Sequence, residues 1–251
     1  MKSTLCRALT AVSLGFAGPA AASEPQKGEL LEAFVEANIL AVFYHELGHA
    51  VIDIEEVPIF GQEEDAADVF STFLIHTLYE DDTAQDIAFD TAMGFLGEAE
   101  FALHSRREEA WWGVHGPNQQ RFFNTVCLFY GASPDTRAWF AEEMELPEGR
   151  AATCEAEFAQ AERSWGAVFD ELVAQSGGES LVFIGETEGT AGELLAYEVE
   201  ELNAVLQLSA PLEVTVESCG LANAFYAPSE RRVIFCSEFE TYFREMARWM
   251  F

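Results

Sequence analysis

Lysine is nearly missing from this chain. Only Lys2 and Lys27 occur in 251 residues, and with arginine the basic total is 13 against 44 acidic residues, a formal net charge of −31. A surface this poor in cations repels phosphate backbones and anionic lipid, which argues against nucleic acid or a charged membrane surface as a partner. Glycine-rich phosphate loops and Gly-x-Ser-x-Gly elbows are also lacking, so nucleotide-binding and serine-hydrolase chemistry find no support. No Cys-x-x-Cys spacing occurs, which removes the usual cysteine zinc site. Past the first 22 residues no apolar run is long enough to span a bilayer, and there is no internal repeat or low-complexity tract.

The length and a hydrophobic fraction of 49% suffice for one well-buried domain or two lobes sharing a cleft. At the N-terminus Lys2 and Arg7 precede an apolar run, Ala8 to Ala17, followed by small residues up to Ala22, the pattern of a secretory signal cleaved after Ala22. The expected divisions are a removed signal at 1–22, a helical lobe at 23–176 and an α/β lobe at 177–251, packed together as one unit, with the Gly177-Gly178 pair between the lobes. The expected location is periplasmic or secreted. Cys127, Cys154, Cys219 and Cys236 then form an even set in an oxidising compartment. Four cysteines allow three pairings. Local pairing favours Cys127–Cys154 and Cys219–Cys236, the second clipping the arms of a hairpin.

The chemistry concentrates between Phe43 and Phe70. His45, Glu46 and His49 form His-Glu-x-x-His near the end of a helical pattern running from Gly28 to about Ile54. On a helix the two imidazoles share one face and reach one zinc ion, while Glu46 stands beside that face as a base for water. Pro58 and Gly61 mark a loop, after which Glu63-Glu64-Asp65 opens a second helix with Ala66, Phe70, Phe73, Leu74 and Thr77 as its expected inner face. Catalytic zinc takes three protein ligands and leaves a position for water. Glu64 and Asp68 are four apart on one face, so Glu64 is the expected third ligand and Asp68 the carboxylate that orients a ligating histidine. Glu63 and then Asp68 are the alternatives for the ligand, and His76 reads as structural or exposed.

Further along, helices are expected within 86–112, over 119–130, over 150–173 and over 193–208, and an amphipathic one over 239–251. Leu181 to Ile184 is a short strand candidate. Leu212 to Ser218 alternates as a half-buried strand, with Arg232 to Cys236 its expected hairpin partner across a turn-rich connection holding Asn223 and Tyr226. A zinc hydrolase needs a donor facing the developing oxyanion, for which His115, with Arg121 nearby, and Tyr226 are the candidates.

Glu64-x-x-x-Asp68 after His45-Glu46-x-x-His49 resembles the thermolysin-like peptidases called gluzincins. The wider phrases HELGHAVID, GQEEDAAD, HGPNQQRFFNTVCLFYG and CGLANAFYAPSERRVIFC resemble a bacterial metallopeptidase family carried under a domain-of-unknown-function heading, over nearly the whole chain past the signal. The resemblance implies zinc and a zincin-type core. The expected fold is α+β and mostly helical, with a metal helix and a small β-hairpin or sheet near the C-terminus. The expected function is zinc-dependent hydrolysis of a peptide or protein substrate. The rivals are a binding or scaffold protein with structural or vestigial zinc, and a zinc amidase acting on a non-protein amide.

Overall fold

The computed structural model describes residues 24–104, 111–175 and 177–251; the expected signal segment lies outside the described residues. The fold is α+β, mostly helical, with one small sheet.

Helix α1, Glu24–Ile54, is the axis. Phe34, Val35, Ile39, Phe43, Tyr44, Leu47 and Val51 are fully buried, and they point in several directions around the helix rather than along one stripe. A helix apolar on all sides is one that is packed on all sides. Helices α2 (Glu63–Leu78) and α3 (Asp81–His104) pack on α1, and so do α8 (Gly189–Val205), α9 (Ser237–Met250) and two strands of the sheet. Elements from both sides of Gly177-Gly178 thus share α1 as their common core.

A second layer lies behind α2 and α3. Helix α4, Asn118–Ala132, packs on both, and α6, Glu148–Ala161, packs on α4, where Cys127–Cys154 joins them. A short α5, Ala138–Glu143, absent from the sequence reading, precedes α6. The helix expected over 150–173 is interrupted: a π turn, Glu162–Gly166, separates α6 from α7, Ala167–Ala174, and turns Trp165 against Phe70 with ring centroids 4.6 Å apart. His76 is neither a ligand nor free. It lies between Phe129 and Phe158, with its Nδ1 3.1 Å from Arg137, a guanidinium buried on Asp81.

The sheet has the order β1-β2-β4-β3, formed by β1 Leu181–Ile184, β2 Leu212–Glu217, β4 Arg232–Cys236 and β3 Ala224–Ala227. The expected hairpin of 212–218 with 232–236 is corrected: β2 and β4 run parallel, Val214 opposite Val233. The stretch between them is long enough to hold its own strand, β3, which reverses the chain and makes the antiparallel hairpin with β4, Phe225 opposite Ile234. Cys219–Cys236 therefore ties the exit of β2 to the end of a parallel neighbour. β3 is an edge strand and packs beside α1.

Candidate metal centre

Gly48 sets where α2 crosses α1. A side-chain carbon there would stand 3.1 Å from both the Ala67 Cα and the Phe70 ring, so the absent side chain lets the helices approach at a position between the two histidines. The crossing brings the first turns of α2 over the His-Glu-x-x-His face. Ala67 and Phe70 to Ile75 are buried, whereas Ala66 is half-buried and Thr77 is exposed, which rotates the inner face slightly from the expected one.

Three atoms converge. His45 Nε2 and His49 Nε2 are 3.2 Å apart, and Glu64 Oε2 lies 3.2 Å from the first and 3.3 Å from the second. The far nitrogens are both held by carboxylates: His45 Nδ1 by Asp68 at 2.8 Å, His49 Nδ1 by Glu63 at 2.8 Å. A carboxylate at Nδ1 fixes the proton there in a neutral imidazole, which leaves both Nε2 lone pairs directed at each other and at Glu64. Such a set of acceptors needs a cation. Donors bound at the same tetrahedral ion with bonds of 2.0–2.1 Å stand about 3.3 Å apart, and this triangle has that size. The residues therefore fit a small divalent metal.

With a proton as the only cation, the site shows the same demand. Burial pulls the His45 imidazole down, yet its hydrogen bonds to Asp68 and Glu64 outweigh this and hold it at about 9. Hydrogen bonds from His115, His45 and His49 keep the Glu64 carboxyl well below the carboxylate range. Burial alone would raise Asp68, but the Arg121 guanidinium, bidentate at 2.7 Å to both oxygens, keeps it ionised. Arg121 in turn lies over the Phe95 ring, 4.2 Å from its centroid.

Glu46 is buried beside the triangle. Burial pushes its carboxyl up, against the pull of the two imidazoles and of the Tyr226 backbone N–H, which donates to it from β3. The Tyr226 hydroxyl is turned elsewhere and donates to Asp53 at 2.8 Å. His115 comes from the loop before α4 and remains half exposed, its Nε2 2.8 Å from Glu64 Oε2 and its ring stacked on His45. His45, Glu64 and His115 also form a group with ligand atoms within 4.8 Å of one another.

The structure thus gathers His45, Glu46, His49, Glu64, Asp68 and His115 at one point. It places Arg121 on Asp68, away from an oxyanion role, and gives Tyr226 a backbone contact with Glu46. Glu63 as the partner of His49 was missed, although the 100° between consecutive helical residues is what lets Glu63 and Glu64 reach different nitrogens. All these groups line one open cleft of about 690 Å³, bounded by α1, α2, α3, α4, α9 and β3.

Comparison with curated proteins and with solved structures gave no match. A family model described as "Putative metallopeptidase" matches residues 4–169 and 190–249, a span holding the metal triangle, His115 and the β3–β4 hairpin, and the chain belongs to that family.

Proposed function

We propose that this protein is a zinc-dependent peptidase working outside the cytoplasm, with His45, His49 and Glu64 as the metal ligands and Glu46 as the general base. The observation that carries the reading is the converging triangle of two Nε2 atoms and one carboxylate oxygen, open to a cleft and flanked by a buried glutamate. Family membership supports the metal and the peptidase class. The two disulfides suit an oxidising compartment. Among the described residues no helix is long and apolar enough to cross a membrane.

Held by His45, His49 and Glu64, zinc would supply Lewis acidity at the cleft and would lower the pKa of water there to about 7. Glu46 takes the proton of the attacking water and returns it to the leaving amine, a task for which a carboxyl raised by burial is suited. Asp68 and Glu63 hold the two imidazoles by their Nδ1–H groups, and Arg121 holds Asp68. His115, half exposed beside Glu64, is the donor that meets the developing oxyanion, since the Tyr226 hydroxyl is committed to Asp53. An extended peptide lies along β3, the edge strand beside α1.

The test is a mixed peptide library incubated with the protein as purified, after chelation, and after addition of one equivalent of zinc. Cleavage that disappears and returns supports the reading; no cleavage at full zinc content sinks it. One observation favours a second reading. His115 stands close enough to Glu64 to close the site, as in a binding or scaffold protein with structural zinc. His115→Ala separates the two: as an oxyanion donor its loss keeps zinc and slows cleavage, and as a fourth ligand its loss lowers zinc content.

A further inference from the structure

Glu46 and Asp53 are seven residues apart on α1, two helical turns, so both carboxylates leave the helix on one side. Tyr226 bridges them. Its backbone N–H donates to Glu46, and its hydroxyl donates to Asp53 at 2.8 Å. A single residue of β3 thus meets α1 at two points, and one of these is the proposed base.

The register of the β3–β4 hairpin leaves the first contact open to Glu46. Opposed residues of antiparallel strands alternate between pairs that exchange both main-chain bonds and pairs that exchange none. The Cys236 N–H donates to the Asn223 carbonyl at 3.0 Å, so Phe225 with Ile234 and Ala227 with Arg232 are the bonded pairs, and Tyr226 with Val233 is not. The Tyr226 N–H therefore points out of the open edge of the sheet, where the Glu46 carboxylate takes it. Where that N–H stands depends on where β3 sits against α1.

The second contact sets that placement. β3 has four residues, is paired along one side only, and buries only Ala224. With so little apolar burial to fix it, the strand is located on the helix by its polar bond. Burial and the Asp53 carboxylate beside it push the Tyr226 phenol up, so the hydroxyl stays protonated and donates. The bond lies at the surface, where a hydrogen bond adds little to stability, and its effect is one of direction.

We infer that Asp53 is a positioning residue: by holding the Tyr226 hydroxyl it seats β3 on α1, and the seated Tyr226 N–H holds the Glu46 carboxylate beside the metal triangle. The catalytic consequence rests on the peptidase reading; the two-point bridge does not. Asp53 is not among the residues that line the cleft, so its effect on the reaction passes through Tyr226.

The test compares the zinc-loaded parent with Asp53→Ala, Asp53→Asn, Tyr226→Phe and the Asp53→Ala/Tyr226→Phe double variant on a peptide that the parent cleaves. In Asp53→Ala and Tyr226→Phe the base is no longer held, and kcat falls on the order of tenfold or more, with KM, zinc content and thermal midpoint as in the parent. The asparagine form, whose amide oxygen still accepts from the phenol, keeps the kcat of the parent. The double variant falls no further than either single one, because the same hydrogen bond is removed each time. An unchanged kcat in Asp53→Ala, an equal loss in Asp53→Asn, additive losses in the double variant, or a fall in zinc content that accounts for the lost rate overturns the proposal.

Amide hydrogen exchange at Tyr226 reads the bridge without turnover. An N–H at an open edge is protected only by what it bonds, so exchange is slow in the parent and Asp53→Asn and fast in Asp53→Ala, Tyr226→Phe and Glu46→Ala. That pattern sustains the bridge even where no peptide is cut and the peptidase reading has failed. Equal exchange of this amide in all five proteins removes it, whatever the peptidase assay gives.

Discussion

At the scale of the residue, the account turns on which carboxylate does what. The four-residue spacing of Glu64 and Asp68 was legible in the sequence, because one helical face follows from spacing alone. The roles of Glu63 and Arg121 were not, because they depend on the angles at which α2 crosses α1 and α4 packs on α2, and no local pattern encodes that. The consequence is measurable. Asp68→Asn leaves His45, His49 and Glu64 in place but withdraws the negative charge that fixes the His45 tautomer and balances the buried Arg121, so on the proposed ligand set zinc affinity, read by chelator competition, should fall by about 10–100-fold. Unchanged affinity would remove Asp68 from the centre. Asp90, next to Thr91, supplies a pH signal away from the metal. Burial, and then Asp86, raise its carboxyl to about 7. The folded chain thus keeps a proton that the unfolded chain gives up near pH ~4, so stability from this group is present at low pH and is lost as pH rises through about 7. Asp90→Asn mimics the protonated form. Its thermal midpoint should gain on the parent between pH 4 and 8; a pH-independent difference would refute the assignment.

At the scale of the element, α1 explains both what was readable and what was not. Its helical pattern and its His-Glu-x-x-His motif were evident, but its apolar residues lie on every side, so the sequence could not say which neighbours it would take. The parallel pairing of β2 with β4 was hidden for a related reason. Two strands joined by a turn-rich stretch read as a hairpin unless the stretch is seen to contain a strand of its own, and Ala224–Ala227 is only four residues long. Gly48 ties this scale to the site. Gly48→Ala gains about 1 kcal/mol of helix propensity but forces a carbon to 3.1 Å from α2, a strain on the order of 1–3 kcal/mol. The expected result is a lower thermal midpoint together with weaker zinc binding, since the crossing that is pushed apart carries Glu64. A variant that binds zinc as the parent does would show that the crossing does not set the triangle.

At the scale of the molecule, α2 and α3 from the N-terminal side and α9 and β3 from the C-terminal side all pack on α1, and the cleft lies among them. Helices before strands was an order visible in the sequence; the placement of the β3 edge beside α1 required the fold to be seen. The acidic composition carries no chemistry of its own, yet it agrees with a cleft in which Arg121, the one arginine among its described lining residues, is already paired. All of this converges on Glu46, which the fold buries beside the converging ligands and holds by the Tyr226 amide. The most direct test is therefore zinc content measured together with library cleavage for the parent and Glu46→Gln. The predicted result is one zinc per chain in both proteins with cleavage by the parent alone. Undiminished cleavage by the glutamine form at equal zinc content would contradict the account.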